Sequence, residues 1–390
     1  MIIETLFWIS IFIVFYAHLG YGIFLKVLTL FAKDTHSNYL NQANDNKKVS
    51  LIIPCFNEED IIENKIKNTL NLNYPENLLQ VIFIADGSND GTSSAIESSK
   101  PKHYLNLFEP ERKGKAAAMN RAVSHATGEV LIFCDANTEL NSEAIKNIVR
   151  HFNDPQVGSI AGKKSIAVQD KDGASSSGEG FYWKYESKLK ELDSRLWTAV
   201  GTAGELMAFR ADLYQPLERD TLLDDFMQSM RIAEKGYRII YEPDAIATEY
   251  ASENIEEELK RKIRIAAGGW QSMGRLKKAI NPFHHFTLFF QYVSHRVLRW
   301  SLAVLLLPVI FVLNALLISQ AFYLYLFIAQ VGFYIAGLLG WLLQNKKLSI
   351  KILYIPYYFL MMNYAVFLGM IRHFKGSQSQ LWERAKRKSQ

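Results

Sequence analysis

A chain of 390 residues has room for two or three structural units, one of them a full-sized catalytic core, and is not a small stapled module. Two cysteines without metal-site spacing argue against a disulfide or zinc framework, and 49% hydrophobic with 21% charged residues is ordinary for a globular protein. The net charge of +5 belongs to the end of the chain, where 372–390 carries six basic residues against Glu383; such a tail suits anionic lipid headgroups, and without a basic patch interleaved with aromatics no nucleic-acid partner is expected.

A mean hydropathy of -0.02 averages a water-soluble part with oily parts. Charge-free stretches occupy 5–25, 300–345 and 352–371, and a spanning helix needs about 20 residues, so a multi-pass protein of the cell (inner or plasma) membrane is expected. The first stretch, within an anchor over 1–32, has no basic residue ahead of it and no small-residue cleavage site, and reads as retained. Lys26 and Lys33 follow it, which places the next domain, 33–277, in the cytosol.

A polar linker over 34–48 opens that domain. Apolar runs at 49–53, 81–84 and 130–134 then alternate with amphipathic stretches at 59–70, 92–98, 116–126 and 142–152. Strands alternating with helices predict an α/β fold, a parallel sheet with its working residues at the carboxyl ends of strands. Cys55 and Cys134, each ending an apolar run, are expected to be reduced core thiols. The Gly/Ser-rich stretch 172–180 is expected to be a loop.

Beyond the domain, 278–299 mixes His284, His285, His295, Arg296 and Arg299 with aromatics, as in an amphipathic helix in the headgroup zone. The transmembrane region 300–371 opens with 46 charge-free residues, too many for one pass; a helical hairpin turning near Ser319–Gln320 fits a core about 30 Å thick. A further span over 352–371 would put the basic tail, 372–390, outside. Either that segment, with Pro356 and Asn363, is re-entrant or interfacial, or the span count differs by one.

Four carboxylate clusters end strand-like runs: Asp86, Asp135, Glu205 and the pair Asp224–Asp225. Hard divalent cations favour oxygen ligands, commonly one or two carboxylates completed by substrate phosphates. One Asp-Gly is an ordinary turn; four such clusters in α/β order point to a site.

The order of these pieces resembles membrane-embedded family 2 glycosyltransferases, the branch that makes cellulose, chitin, hyaluronan and poly-N-acetylglucosamine. The resemblance runs through Ile-Ile-Pro-Cys-Phe-Asn-Glu-Glu (52–59), Ala-Asp-Gly-Ser (85–88), Arg-Lys-Gly-Lys-Ala-Ala-Ala-Met-Asn (112–120), Cys-Asp-Ala-Asn-Thr (134–138), Leu-Asp-Asp-Phe (223–226) and Lys-Gly-Tyr-Arg-Ile-Ile-Tyr-Glu-Pro-Asp-Ala (235–245). It implies a Rossmann-like, nucleotide-sugar-binding GT-A fold, a UDP-sugar donor, an inverting transfer, and Mg²⁺ or Mn²⁺ as cofactor.

By position the resemblance assigns donor binding to Pro54, Asn57, Glu58, Asp86, Lys115, Asp135 and Arg264, and the catalytic base to Asp225. The metal falls to Asp135 and Asn137, the latter replacing the second Asp of the family's Asp-X-Asp motif. A lysine in a loop that opens a helix, like Lys115, also adds a cation to an anion-attracting helix N-terminus. Gly204, Glu205 and Trp270 are expected at the acceptor. The Gln-X-X-Arg-Trp motif of processive members reads Arg-Lys-Ile-Arg-Ile at 261–265, keeping only the Arg. The implied acceptor is a growing extracellular polysaccharide, whose translocation the flanking helices could couple, or alternatively a lipid-linked sugar extended once. A sensor of nucleotide sugars is the competing class, disfavoured because the charge-free segments lack a charged pathway.

Overall fold

The computed structural model describes residues 1–32, 36–40, 46–167, 174–250, 255–343 and 351–379. Lys33, residues 34, 35 and 41–45 of the expected linker, Asp172 and Gly173 of the expected loop, and the basic tail from 380 onward lie outside the described residues.

Helices α1 (Ile2–Phe15) and α2 (Tyr21–Leu28) run on through a π turn at Tyr16–Gly20, and a short α3 (Ser37–Leu40) follows. The domain then alternates β1 (Val49–Cys55), α4 (Ile62–Leu70), β2 (Leu79–Asp86), α5 (Thr92–Ser99), β3 (Leu105–Glu109), α6 (Lys115–Val123), β4 (Val130–Cys134), β5 (Glu139–Leu140) and α7 (Ala144–Val149). It continues with β6 (Val157–Ala167), α8 (Ala174–Leu196), β7 (Leu206–Arg210), α9 (Asp224–Glu234), β8 (Arg238–Tyr250) and α10 (Ile255–Arg275). Helices α11 (Phe286–Tyr292), α12 (Leu298–Trp300), α13 (Leu302–Leu316), α14 (Ala321–Leu343) and α15 (Lys351–Phe374) complete the chain.

The eight strands among the described residues form one sheet in the order β3-β2-β1-β4-β7-β6-β8-β5. The first four are parallel, as the alternation predicts. The remainder is mixed: β7 runs antiparallel to both β4 and β6, and β6 is parallel to β8. Every residue of β1 is buried because helices cover both faces of the sheet. Leu51, Ile53 and Cys55 pack with Ile62 and Ile66 of α4 on one face, while Ile52 meets Ala118 and Met119 of α6 on the other. Pro54, which has no N–H to give, lies past Ile52, where the pairing of β1 with β4 ends. Cys55 and Cys134 are buried free thiols, as expected.

One expectation is overturned. Ala174–Gly180 is the first part of helix α8, not a loop. Glycine and serine nucleate helices poorly, but Leu189 and Leu192 further along α8 are buried against Tyr21 and Leu25 of α2, and extending a helix that already exists adds one hydrogen bond per residue.

Among the described residues three helices are long and apolar enough to cross a membrane: Ile2–Leu28, Ala321–Leu343 and Leu353–Phe374. Helix α13 alone, at 15 residues, falls short of a core about 30 Å thick, but Phe286–Trp300 and Leu302–Leu316 together make a broken span or re-entrant loop bent by 52°. The turn between α13 and α14 contains Ser319–Gln320, where the hairpin is expected. Phe7 of α1 packs with Ile310, Leu317 and Tyr323 of that hairpin. The segment over 286–300 is also part of the core of the sheet-bearing domain, since Leu288, Tyr292 and Trp300 share a cluster with Phe226 and Met227 of α9.

Candidate active site

The sheet order brings the expected residues to one edge. Strands β1 and β2 run in register with Cys55 opposite Ala85, so the segments after them emerge side by side. Asn57, at φ 53°, exchanges hydrogen bonds with Asn89 at 2.8 and 3.0 Å and donates its backbone N–H to Ser88 Oγ at 3.1 Å. Glu58 is buried and its N–H reaches Thr92 Oγ1 at 2.7 Å. Asp86 accepts the backbone N–H groups of Lys113 at 3.1 Å and Gly114 at 2.7 Å, and Nη2 of Arg121 at 2.9 Å. It therefore ties down the loop that opens α6. Gly114, at φ 89°, makes the turn that a side chain would strain, and Lys115 follows as the first residue of the helix.

Beside it, Asp135 follows the end of β4, with Asn137 two residues on. Lys115 Nζ lies 2.7 Å from Asp135 Oδ1 and 3.8 Å from Asp224 Oδ2. Asp224 and Asp225 form the first turn of α9, and Asp225 Oδ1 accepts the N–H of Phe226 at 2.7 Å. Gly204 fits between the two sides of the cleft: a Cβ there would sit 3.1 Å from Lys115 Nζ and 3.8 Å from Asp225 Oδ2. Lys115, Asp135, Gly204, Asp224 and Asp225 are thus one constellation.

Antiparallel β7 pairs Leu206 with Cys134, which sets Glu205 next to the end of β4. Glu205 is bonded to Lys164 of β6 at 2.5 Å, and Lys164 also pairs with the buried Glu249 of β8. Arg264 faces Asp224 and Asp225 from α10, its buried Nε without a hydrogen-bond partner among the described residues. Trp270, on the same helix, packs on Phe374 of α15 with ring centroids 5.2 Å apart. Tyr292 and Trp300 pack on the ring of Phe226, the residue after Asp225, with centroids 5.9 and 5.4 Å away.

Burial, and then the adjacent Asp224, push the Asp225 carboxyl up to about 7, with Lys115 opposing. Burial also raises Asp135 against the pull of Lys115. For Lys115 burial would lower the amine, but Asp135 and Asp224 more than reverse it, so the ammonium stays charged. Glu205 is held well below the carboxylate range, because Lys164 outweighs its burial. The cleft therefore holds a fixed cation, a carboxylate able to take a proton near neutral pH, and beside them Glu205, a carboxylate that stays ionised.

Residues 50–217 match the family described as Glycosyl transferase family 2. The chain carries a family 2 glycosyltransferase domain. Curated relatives include poly-beta-1,6-N-acetyl-D-glucosamine synthases of Staphylococcus aureus, 27% identical over 235 residues, and of Staphylococcus epidermidis, 26% identical over the same length. These matches cover 58% of this chain and 56% of the relatives' own length. Among solved structures, a mannosyltransferase from Pyrobaculum calidifontis in complex with GDP-Man and Mn²⁺ aligns with a TM-score of 0.72 at 23% identity, covering 96% of this chain and 100% of that one. That likeness shows a shared fold, a GT-A domain with helices at both ends. The constellation lies around this glycosyltransferase domain, with Asp225 and Arg264 contributed beyond residue 217.

Sequence reasoning overlooked Lys164, Lys190, Tyr292 and Trp300. Lys164 sits in an apolar strand and Lys190 one turn after Glu186 on α8, both visible as charges on buried faces only once the neighbouring elements are known. The pairing of Trp300 with Phe226 had no spacing signal.

Proposed function

We propose that the protein is an inverting membrane glycosyltransferase that moves a sugar from a UDP-sugar to a growing polysaccharide, with Asp225 as the base. The observation that carries this reading is the position of Asp225 across Gly204 from Lys115, in a setting that poises its carboxyl near neutrality. The bond between the anomeric carbon and the diphosphate breaks as the acceptor oxygen bonds to that carbon from the opposite face, and the hydroxyl proton passes to Asp225. Lys115 and Arg264 offer cationic N–H groups to the diphosphate. Pro54, Asn57, Glu58 and Asp86 shape the nucleoside side of the cleft.

The residues also fit a divalent metal. Asp135 keeps 22% of its side chain exposed at the cleft, and Asn137 adds a carbonyl oxygen two residues on. Among the described residues no group of three or more His, Cys, Asp or Glu side chains is arranged to hold an ion. One carboxylate completed by donor phosphates is the pattern usual for Mg²⁺. Bound there, Mg²⁺ or Mn²⁺ supplies positive charge to the departing diphosphate. The Mn²⁺ of the mannosyltransferase supports a metal, and its GDP-Man makes the base of the donor part of the test.

The polysaccharide product rests on the synthase relatives. A second reading, single addition to a lipid-linked acceptor, is favoured by Arg261 and Ile265 where processive relatives have Gln and Trp; Arg261 is bound to Glu258 at 2.8 Å. The apolar helices support a membrane location, and Lys26 and Lys33 after the first of them support the cytosolic side for the domain. Incubating the purified protein with labelled donor and membrane lipids, then sizing the product and assigning its anomeric configuration by NMR, tests both. A β-linked polymer from an α-linked donor supports the first reading, a single added residue the second, and retained configuration contradicts the mechanism.

A further inference from the structure

The inward face of α8 carries Glu186, Lys190 and Asp193 about one turn apart, and their exposures are 2, 5 and 0%. Two of the three are fully engaged. Asp193 accepts from the Tyr21 hydroxyl and from Gln291 Nε2 at 3.1 Å, and bonds His295 Nδ1 at 2.6 Å. Glu186 pairs with Arg299 at 2.6 Å, Arg296 at 3.1 Å and His295 Nε2 at 3.4 Å. Lys190 differs: among the described residues it makes no hydrogen bond and no ion pair, although Arg296, Glu186, Glu205 and Asp225 all act on its charge. Burial, then Arg296, pull its amine down to about 8.

An ammonium left unpaired at this depth is costly, and a neutral partner does not remove the cost; an anion does. Glu186 pairs with Arg296 and Arg299 and also acts on the charge of Lys190, so one carboxylate is shared among three cations. Among the described residues Arg296 also keeps a buried Nε without a hydrogen-bond partner, its guanidinium 5.7 Å from the Trp300 ring centre. On one side this cationic cluster adjoins the start of α9, where Asp225 stands, through Trp300, whose ring centre is 5.4 Å from that of Phe226. On the other, the segment bearing Arg296 and Arg299 bends at Ser301 into the apolar α13, so an anion reaching the pocket comes from the level of lipid headgroups.

We propose that Lys190 and Arg296 seat a phosphate carried by the acceptor, a lipid-linked sugar phosphate that enters from the bilayer and presents a sugar hydroxyl to Asp225. This rests on the glycosyltransferase reading in its lipid-linked form. Bond making and proton transfer are unchanged; the two cations hold the acceptor's phosphate and keep its hydroxyl beside the base.

The test uses the full chain in lipid nanodiscs and two probes, a polyprenyl-diphosphate-linked N-acetylglucosamine and the same sugar on an uncharged polyprenyl ether, with retention read by native mass spectrometry. The wild-type protein should retain the phosphorylated probe at least tenfold better. Lys190→Met should erase that preference, Lys190→Arg should keep most of it, and UDP binding should be unchanged in both. Arg296→Gln tests the seat from the other element should Lys190→Met fail to fold. Inorganic phosphate at millimolar concentration should not displace the probe; displacement would assign the pocket to free phosphate and overturn the lipid source. Equal retention of both probes by the wild type, or an undiminished preference in Lys190→Met and Arg296→Gln, overturns the seat. Donor turnover without a phosphate preference defeats this inference alone, whereas absence of donor binding and turnover defeats the glycosyltransferase reading itself.

Discussion

Lys115 reaches across the cleft to Asp135, Nζ to Oδ1 at 2.7 Å, and so stands at the carboxylate best placed to hold a metal. An ammonium and a divalent ion compete for the same oxygens, so donor-free protein should bind Mn²⁺ weakly. Diphosphate drawn to Lys115 should free Asp135 and tighten that binding. Lys115→Met should raise donor-free Mn²⁺ affinity on the order of tenfold, the scale of one charge-assisted hydrogen bond, and weaken UDP binding by a similar factor. Electron paramagnetic resonance of Mn²⁺ with and without UDP measures both. Unchanged Mn²⁺ binding in the variant would remove Asp135 from the metal.

Asp225 must be ionised to accept a proton, and its carboxyl is raised to about 7. Activity should therefore fall as pH drops through about 7, well above the range of an ordinary aspartate. Asp224→Asn removes a neighbouring negative charge that contributes to the rise, so the acid limb should move to lower pH. A pH profile of kcat for both proteins checks this. A limb that stays in place would mean that another group sets it.

Lys164 holds Glu205 and Glu249 together in a buried strand pair. Lys164→Met leaves two buried carboxylates facing each other without their cation, and breaking a buried pair costs about 3–5 kcal/mol. The thermal midpoint in detergent should drop by several degrees. Lys164→Met combined with Glu205→Gln should recover part of the loss, since one of the stranded charges is gone. No recovery would mean that Lys164 acts through packing.

Gly204→Ala places a methyl 3.1 Å from Lys115 Nζ. The end of a lysine side chain can move, so stability should change little. The lysine is displaced from its place opposite Asp225, however, and turnover should fall about tenfold or more, as small misplacements at a reacting centre do. Activity and thermal midpoint measured together separate this outcome from simple misfolding.

Much of the catalytic half was legible because its signals are local. Apolar runs at 49–53, 81–84 and 130–134 can only be buried strands between helices, and the residues just after them, Asn57, Asp86 and Asp135, necessarily share the carboxyl edge of a parallel sheet. What was hidden depends on distant partners. The run Leu206–Arg210 reads as a strand in either direction, and only its insertion between β4 and β6 makes it antiparallel and carries Glu205 to Lys164. Lys190 resembles a solvated helix charge until Phe286–Trp300 packs over it. Trp270 stands nearer the Arg264 motif in sequence, but the ring that packs on Phe226 is Trp300, just before the bend at Ser301.

The central claim is that this cleft transfers sugar from a nucleoside-diphosphate donor with Asp225 as base. The most direct measurement is diphosphate release by the purified full chain offered a panel of UDP- and GDP-sugars with Mg²⁺ or Mn²⁺ and membrane lipids, beside Asp225→Asn. The account predicts metal-dependent release with one donor or a few, reduced at least a thousandfold in the variant while donor binding persists. Donor binding without release in the wild type, or equal release by Asp225→Asn, would contradict it.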